Sequence, residues 1–387
     1  MRKIKLMNAI SGIIYEHLSK DVYEIGDNVE NPDAILVRSA NMLEADLNGN
    51  LLAIARAGVG YNNVPVDRCS EQGVAVFFAP GANANAVKEL VMAGMLLSTR
   101  DVVGGIGWAK TLDGEGDKVP ALVEKGKGQF VGPELEGKTL GVIGLGNIGG
   151  PVATLGTHFH MNTIGFDPYM TVEAAWSVSR AVHRAPSEAA LVAEADFLTL
   201  HIPLTNETRG KINAEYIAQM KDGATLLNFS RGEIVDDDAM LAALESGKLR
   251  AYVTDFPNQK LLNKKGVLCI PHLGASTPES EENCARMVAE QVDSFLKTGS
   301  VRNSVNLPNC DLGAPAAFRL TVIHKNIPNM LSQVTGAVAA EQINISDMVN
   351  RSRKDIAYTV LDLDDKPTDV LMAKLEAIDG ILRVRAM

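Results

Sequence analysis

The chain has 387 residues, of which 46% are hydrophobic and 22% charged, and its formal net charge at pH 7 is −10. This length exceeds one ordinary core, so we expect two or three domains. The negative charge argues against nucleic acid as a general partner, and no uninterrupted apolar run is long enough to indicate a membrane span. Four scattered cysteines without a Cys-x-x-Cys pair favour a reducing, cytoplasmic location, with neither a disulfide framework nor a metal site.

Short apolar runs alternate with helix-like segments along most of the chain. The first block predicts strands in KIKLMNAI, AILVRSA, LLAIARAGV and VAVFFAP, then a helix over residues 84–99. The Gly- and charge-rich segment LDGEGDKVPALVEKGKGQF predicts a connector or lid. From Thr139 the alternation resumes, with strands in TLGVIGLG, NTIGFDPY, DFLTLHIPL, ATLLNFSRG, AYVTDF and VLCIPH. This rhythm predicts an α/β protein with two doubly wound parallel-sheet domains, Rossmann- or flavodoxin-like.

The last third of the chain changes rhythm. A long helical segment, PESEENCARMVAEQVDSFLKTG, precedes SVRNSVNLPNCDLGAP, which is typical of a linker. The remaining segments FRLTVIH, IPNMLSQVTGAVAAEQ, INISDMVN, IAYTVLDL, TDVLMAKLEAI and ILRVRA predict the order βαββαβ. We expect a small ferredoxin-like domain over residues 316–387.

The stretch TLGVIGLGNIGG has the pattern of a dinucleotide-binding turn. An apolar strand precedes it, Gly144 permits the tight turn, Gly146 lets the backbone approach a pyrophosphate, and Gly149 begins a helix. Asp167 follows the next strand, where an acidic residue bonds the ribose hydroxyls. No arginine directly follows Asp167, which favours NAD over NADP as the cofactor.

Two further strand ends carry groups suited to an oxidoreductase. Arg231 follows Ser230 at the end of one predicted strand, and an arginine there can pair bidentately with a carboxylate. His272 follows another strand and can pass a proton near neutral pH. The alternatives are a surface arginine and a satisfied core histidine, but the neighbouring dinucleotide turn favours catalysis.

These motifs, together with PHLGAST and ARAGVGYNNV, occur in the order found in the NAD-dependent D-2-hydroxyacid dehydrogenases, and the chain resembles that family over nearly its whole length. The resemblance implies that Arg231 binds the substrate carboxylate and that His272 is the acid/base. It also implies a split substrate domain, residues 1–97 completed by a helix at 279–308, around an NAD domain at 98–278.

The resemblance further implies 3-phospho-D-glycerate as the substrate, a homodimer or homotetramer, and a place at the start of serine synthesis. The expected substrate ligands are Arg38, Ser39, Arg56, Gly58, Val59 and Gly60. The expected NAD contacts beyond the three glycines and Asp167 are Asn147, Ile148, His201, Pro203, Thr208, Ser230, Asp255 and Gly274.

One segment departs from the family pattern. Many members carry a glutamate, in a D-V-F-x-x-E-P segment, that supports the catalytic histidine. Alignment on Phe256-Pro257 places Gln259 at the glutamate and Thr254 at the preceding aspartate. Asp255, the nearest carboxylate, would face the other side of a regular strand unless a bulge re-aimed it. Either Gln259 or Asp255 is therefore a candidate partner of His272, and Asp255 could instead contact the nicotinamide.

The ferredoxin-like tail resembles an ACT domain, a small-ligand sensor. Family members that respond to serine carry an H-x-N motif and a second-strand asparagine, which are matched by His324, Asn326 and Asn344. Asn329 replaces the usual glycine, although asparagine tolerates positive φ. L-serine is the expected effector, with an ACT domain that serves only in assembly as the alternative.

Two other functions are compatible with these motifs. One is a reductase of glyoxylate or hydroxypyruvate, against which Arg38, Arg56 and the tail argue. The other is an NAD-sensing interaction protein without catalysis, which Gln259 favours and which the presence of Arg231 and His272 opposes.

Overall fold

A computed structural model describes residues 1–387, apart from the side chain of Glu173. The chain forms two compact units: unit 1 comprises Met1–Asn83 and Pro278–Met387, and unit 2 comprises Ala84–Thr277. The ferredoxin-like tail belongs to unit 1, which also contains the N-terminal sheet.

The strands, in chain order, are β1 (Arg2–Met7), β2 (Tyr23–Gly26), β3 (Ala34–Val37), β4 (Ala53–Arg56), β5 (Ala75–Phe78), β6 (Thr139–Ile143), β7 (Asn162–Phe166), β8 (His183–Arg184), β9 (Phe197–Leu200), β10 (Ala224–Asn228), β11 (Leu249–Thr254), β12 (Val267–Cys269), β13 (Phe318–Lys325), β14 (Ile345–Arg353), β15 (Ile356–Leu363) and β16 (Ile381–Ala386). The α-helices are α1 (Val66–Glu71), α2 (Ala84–Thr99), α3 (Val102–Lys110), α4 (Val119–Gly126), α5 (Gly149–His158), α6 (Val172–Ser177), α7 (Glu188–Glu194), α8 (Ala214–Gln219), α9 (Asp237–Glu245), α10 (Pro278–Thr298), α11 (Met330–Ala340) and α12 (Asp369–Glu376).

The N-terminal sheet of unit 1 has five parallel strands in the order β2-β1-β3-β4-β5. This is the flavodoxin-like doubly wound order. β3 is buried along its whole length and β4 at its first three residues, as expected for strands covered on both faces. Helix α10 packs on this sheet through Val288, Val292 and Phe295, so the predicted returning helix is part of the unit 1 core.

The sheet of unit 2 has seven parallel strands in the order β12-β11-β10-β9-β6-β7-β8. The strand order reverses at β6, and ligands bind such sheets outside the carboxyl ends of the strands near this point. The glycine turn follows β6, so the sheet brings the predicted motif to the expected edge. The prediction of Rossmann- and flavodoxin-like parallel sheets is confirmed.

The compact units differ from the predicted domains in two respects: residues 316–387 are part of unit 1, and the boundary near α2 lies elsewhere. A boundary after residue 97 would assign α2 to the first domain, whereas the helix belongs to unit 2. Its buried residues Val87, Val91 and Met95 join the core that contains Leu140 and Val142 of β6. The apolar face of α2 therefore decides the boundary, and strand-helix alternation carries no information about which sheet a helix covers.

The predicted connector after α2 is largely helical and contains α4 and two short 3₁₀ turns. Phe130 at its end packs against Trp108 of α3, with 5.5 Å between the ring centroids. Of the described helices, none alone is both long and apolar enough to cross a bilayer; α2 and α3 together have the length and composition, but they meet at a 66° bend.

The C-terminal subdomain has the predicted βαββαβ order. Its antiparallel sheet runs β14-β15-β13-β16, and α11 and α12 bury Val334, Val338, Leu371 and Leu375 against it. The segment predicted as a linker, residues 300–315, is instead packed into unit 1. The Ser304 hydroxyl donates to the Val76 carbonyl oxygen at 3.0 Å, so this segment is fixed to β5.

Candidate active site

The glycine turn joins β6 to α5 in a conformation that requires glycine at two positions. Gly144 has φ +85°, and a Cβ there would lie 2.4 Å from the carbonyl oxygen of His201. A Cβ at Gly149 would lie 1.8 Å from the carbonyl oxygen of Gly144. At Gly146, by contrast, a Cβ would meet no atom within 4 Å. The backbone at Gly146 is therefore open to the close approach of a ligand, beside the positive N-terminal end of α5.

Asp167 is fixed beside this turn. Its Oδ2 accepts the Leu145 N–H at 2.9 Å, and its Oδ1 accepts the Tyr169 N–H at 2.9 Å. Each carboxylate oxygen has a further lone pair, so the group can still accept from ribose hydroxyls. Its negative charge would repel a 2′-phosphate, which fits NAD and disfavours NADP.

Of the remaining predicted NAD contacts, Asn147 and Ile148 lie in the turn, His201, Pro203 and Thr208 follow β9, and Ser230, Asp255 and Gly274 follow β10, β11 and β12. Ile148 immediately precedes α5, and Asn147 is exposed beside it. His201 follows β9, and its Nε2 lies 3.0 Å from the Thr199 hydroxyl. Burial lowers the pKa of His201 to about 3, so its ring is neutral. Thr208 donates to the Pro203 carbonyl oxygen at 2.7 Å, which closes the loop after β9.

Arg231 projects from the loop after β10. The buried hydroxyl of Ser230 donates to the Leu200 carbonyl oxygen at 2.6 Å, and the side chain of Asn228 donates to the Arg231 carbonyl oxygen at 2.9 Å. These two bonds hold the backbone while the Arg231 side chain remains exposed. One of its nitrogens, Nη1, donates to the Ser230 carbonyl oxygen at 2.6 Å, and the other donors are available to a carboxylate.

Asn228 and Tyr252 are buried polar residues beneath the Arg231 loop that the sequence prediction did not identify. Both are buried, and the Asn228 amide reaches the Tyr252 hydroxyl at 3.3 Å. A buried asparagine at the end of an otherwise apolar strand, in LLNFSRG, is the signal that could have identified Asn228.

Asp255 and His272 lie together after β11 and β12. The His272 N–H donates to the Asp255 carbonyl oxygen at 3.1 Å, and the imidazole packs on Phe256 with 4.9 Å between ring centroids. His272 has φ +47°, a rare conformation for a non-glycine residue and one that is common at functional sites. The exposed imidazole and the exposed Arg231 are both at the carboxyl edge of the sheet.

The Asp255 carboxylate is buried and incompletely bonded. The side chain is 2% exposed, and its Oδ1 has no hydrogen-bond partner among the described residues. Burial raises the pKa of Asp255, while the charge of His272, backbone N–H groups including that of Gly274, and Arg231 act in the opposite direction. A buried carboxylate with an unused oxygen is a candidate functional group.

The alignment on Phe256-Pro257 leaves Gln259 and Asp255 as candidate partners of His272, and the structure places the two residues differently. Thr254, placed at the family aspartate, is the last residue of β11 and is fully buried, whereas Asp255 follows the strand. Strand alternation therefore does not govern the direction of Asp255, and the β10–β11 irregularity lies at Ala224, far from it in the register. Gln259 is exposed, and no hydrogen bond between Gln259 and His272 occurs in the described part of the chain.

Unit 1 contains the predicted phosphate ligands. Arg56 is the last residue of β4, and its buried Nε has no hydrogen-bond partner within the described residues. Burial lowers the pKa of Arg56. The nearby Cys284 raises this pKa, and the positive charge of Arg38 lowers it. Arg38 is paired with Glu281 of α10, a contact that local sequence patterns do not predict. Arg56 is therefore the more available of the two cations.

The loops beside these arginines are shaped by close contacts. The Arg56 guanidinium lies against Gly58, where a Cβ would be 1.5 Å from Nη1. The Ser39 N–H donates to the side chain of Asn8 at 3.2 Å. Val59 is half-buried, and a Cβ at Gly60 would meet no atom within 4 Å.

The predicted serine ligands do not contact one another by hydrogen bonds within the described chain. His324 is 2% exposed; its Nδ1 lies 2.8 Å from the Lys325 carbonyl oxygen and its Nε2 lies 2.9 Å from the Thr359 hydroxyl. Both ring nitrogens are thus used internally. Asn326 donates to the Lys354 carbonyl oxygen at 3.0 Å, and Asn344 donates to Asp364 at 2.7 Å.

Asn329 has φ +70°, so this asparagine adopts the left-handed conformation of the glycine that it replaces. The loop into α11 therefore does not need a glycine at this position.

A glycine turn with its strand-end aspartate, and an arginine and a histidine at the same sheet edge, are features of the nucleotide-dependent dehydrogenase class. Residues 106–274 match the family model described as D-isomer specific 2-hydroxyacid dehydrogenase, NAD binding domain. The chain belongs to the D-isomer specific 2-hydroxyacid dehydrogenase family.

Named relatives agree with this assignment. The D-3-phosphoglycerate dehydrogenase of Methanocaldococcus jannaschii is 37% identical over 91% of this chain and 67% of its own length. The hydroxypyruvate reductase of Thermotoga maritima is 38% identical over 72% of this chain and 88% of its own. The crystal structure of the NAD⁺-bound 3-phosphoglycerate dehydrogenase of Entamoeba histolytica matches with a TM-score of 0.61 at 27% identity, over 79% of this chain and 98% of that one. The chain spans 50 to 67% of the length of four curated phosphoglycerate dehydrogenases that it matches.

Proposed function

We propose that the protein oxidises 3-phospho-D-glycerate to 3-phosphohydroxypyruvate with NAD⁺, the first step of the phosphorylated route to L-serine. The observation that carries the proposal is the group formed by Arg231, His272 and Asp255 at the sheet edge that also carries the glycine turn. The names of relatives that match over most of this chain support 3-phosphoglycerate as the substrate.

The chain's own residues handle charge and the proton. When bound, NAD⁺ supplies the acceptor for the C2 hydride. The fixed Asp167 and the open backbone at Gly146 would hold the dinucleotide. The exposed His272 imidazole accepts the proton of the C2 hydroxyl, and Arg231 pairs with the substrate carboxylate and stabilises charge developing on the C2 oxygen.

Asp255 is the preferred partner of His272. Its carboxylate is buried beside the histidine and has an unused oxygen, whereas Gln259 is exposed and its amide cannot offset the charge of an imidazolium. If Asp255 supplies this counter-charge, Asp255→Asn should shift the acidic limb of the oxidation profile to lower pH. Gln259→Glu should leave that limb unmoved.

A direct assay tests the activity. We expect NADH formation at 340 nm with 3-phosphoglycerate, and His272→Ala should remove most turnover while NADH binding is retained. An enzyme that reduces hydroxypyruvate or glyoxylate but fails to oxidise 3-phosphoglycerate would favour the second candidate, which the Thermotoga relative supports. Near-normal turnover of His272→Ala would contradict the proposed role of the histidine.

Regulation and assembly are also part of the proposal. L-serine is the proposed effector through His324, Asn326 and Asn344, and the internal bonds of His324 mean that this ring must exchange partners to bind it. Calorimetry of the full chain with L-serine, wild type against Asn344→Ala, tests this site. The proposed assembly is a homodimer or homotetramer in the cytoplasm, where the four free cysteines stay reduced.

A further inference from the structure

The guanidinium of Arg38 is held by a carboxylate from a distant part of unit 1. Its Nη2 pairs with Oε1 of Glu281, in the first turn of α10. The side chain of Arg38 is 41% exposed and that of Glu281 is 43% exposed. An ion pair this open to water is weak, so another anion can take the place of the carboxylate.

The backbone that carries Arg38 is fixed, so its side chain is the part that can change partner. The Asn63 amide donates to the Ala40 carbonyl oxygen at 2.8 Å and to the Arg38 carbonyl oxygen at 3.4 Å. The Ala40 N–H in turn donates to the side chain of Asn8 at 2.5 Å. Removal of the Glu281 charge should therefore free the guanidinium without moving the loop.

Arg38 and Arg56 are neighbouring cations. Val37, the last residue of β3, is the register partner of Arg56 on the adjacent parallel strand β4. The two arginines thus leave the same end of neighbouring strands, which are about 4.8 Å apart in a sheet. Arg56 is half-buried, and it forms no ion pair with any carboxylate in the part of the chain that the structure describes.

Glu281 belongs to the same cluster of charges. It lies one helical turn before the buried Cys284, on the same face of α10. Burial raises the pKa of Cys284, the two arginines lower it, and Glu281 raises it further, so all three charges lie near this thiol. Together they comprise two positive charges and one negative charge.

A phosphate monoester carries about −1.5 to −2 charges at pH 7, which two arginines can neutralise without Glu281. We propose that Glu281 competes with the substrate phosphate for Arg38 and is a specificity-determining residue that acts through this arginine. The inference rests on the proposed function, because it takes 3-phosphoglycerate as the ligand of Arg38 and Arg56. Glu281 then weakens the preference for phosphorylated acids by the strength of one exposed ion pair, about two- to fivefold.

The competing explanation is that Glu281 serves only the helix. A negative charge in the first turn stabilises any helix through the dipole. Glu279 provides the matched control, because it lies in the same turn, is exposed and forms no ion pair within the described residues. Residues two apart on a helix do not share a face, so Glu279 is directed away from the Glu281 side.

Calorimetric titration of the full chain with 3-phosphoglycerate, without NAD⁺ so that no turnover occurs, tests the competition. Glu281→Gln keeps an oxygen that can accept from Arg38 but removes the charge, and it should bind 3-phosphoglycerate about two- to fivefold more tightly than wild type. Its affinity for D-glycerate should not change, and Glu279→Gln should match wild type for both ligands. A Glu281→Gln chain that binds 3-phosphoglycerate no more tightly, or chains that do not bind it at all, would overturn the proposal.

A double-mutant cycle with Arg38→Met separates competition from simple repulsion between Glu281 and the phosphate. Repulsion acts whether or not Arg38 is present, whereas competition requires it. The gain from Glu281→Gln should therefore disappear in the Arg38→Met background, and a gain of equal size there would refute competition.

The titration also distinguishes this inference from the proposed function. Because it measures binding alone, a wild type that binds 3-phosphoglycerate without oxidising it would refute the proposed activity only. An active enzyme in which Glu281→Gln leaves the affinity unchanged would refute only the role of Glu281.

Discussion

Gly146→Ala separates nucleotide binding from folding at the glycine turn. The added methyl would meet no protein atom within 4 Å, and Gly146 does not have positive φ, so the unliganded chain accepts alanine. Loss of glycine flexibility in the unfolded chain should even stabilise the variant by about 0.4–1 kcal/mol. The same methyl occupies the space that a pyrophosphate needs, and displacing one charge-assisted hydrogen bond costs about 1.5–3 kcal/mol. We therefore expect NADH to bind about ten- to a hundredfold more weakly.

Fluorescence titration with NADH and thermal unfolding measure the two quantities on the same sample. Gly149→Ala is the contrasting variant, because its methyl would lie 1.8 Å from the Gly144 carbonyl oxygen and the chain should unfold more easily. Gly336→Ala, in α11, is the matched control, since its methyl also meets no atom within 4 Å. Unchanged NADH affinity in a stable Gly146→Ala variant would refute the assignment of this turn to the pyrophosphate.

Asp167→Ala should reduce the ratio of NAD affinity to NADP affinity about ten- to a hundredfold, mainly through weaker NAD binding, as measured by parallel titrations. A wild-type protein that prefers NADP would contradict the assignment of Asp167 to the ribose hydroxyls. Arg56→Ala should lower kcat/KM for 3-phosphoglycerate about ten- to a hundredfold and kcat/KM for D-glycerate far less. Arg38→Ala should have a smaller effect, because Glu281 already pairs with Arg38. Equal losses on both substrates would argue against phosphate recognition by these arginines. Burial raises the pKa of Asp255, so its ionised form destabilises the folded state above that pKa and this penalty disappears as pH falls below the ordinary carboxyl value. Urea denaturation should therefore give Asp255→Asn a larger free energy of unfolding than the wild type at pH 7, and the difference should vanish near pH 3.5. An equal difference at both pH values would show that ionisation of Asp255 is not the cause.

Local patterns in the sequence predict most of the elements that carry the site. The glycines of the turn and Asp167 are separated by one helix and one strand, and the hydrophobic rhythm of that unit is sufficient to place them at one sheet edge. Arg231 and His272 could be placed by the same rule, because each follows a parallel strand. The βαββαβ tail was equally predictable, since each of its segments has a clear period.

Contacts between distant segments were not predictable in the same way. The pairing of Arg38 with Glu281 joins positions 243 residues apart, and nothing in the local pattern of either segment encodes it. The direction of Asp255 depends on the residue at which β11 ends, and strand ends are the least certain part of a sequence-based assignment. The alignment through Phe256-Pro257 therefore could not decide between Gln259 and Asp255 as the partner of His272.

The sequence by itself determined which segments are strands and helices, and which chemical groups stand at the strand ends, because hydrophobic period and glycine placement are local properties. Only the tertiary structure decided which helix covers which sheet, which arginine is already paired, and which polar atoms remain unsatisfied. Burial and pairing are sums over neighbours from the whole chain, as the internal bonds of His324 and the unused donors of Arg56 and Arg385 show. The physical reason is that desolvation depends on everything that surrounds a group, and the local sequence specifies only part of those surroundings.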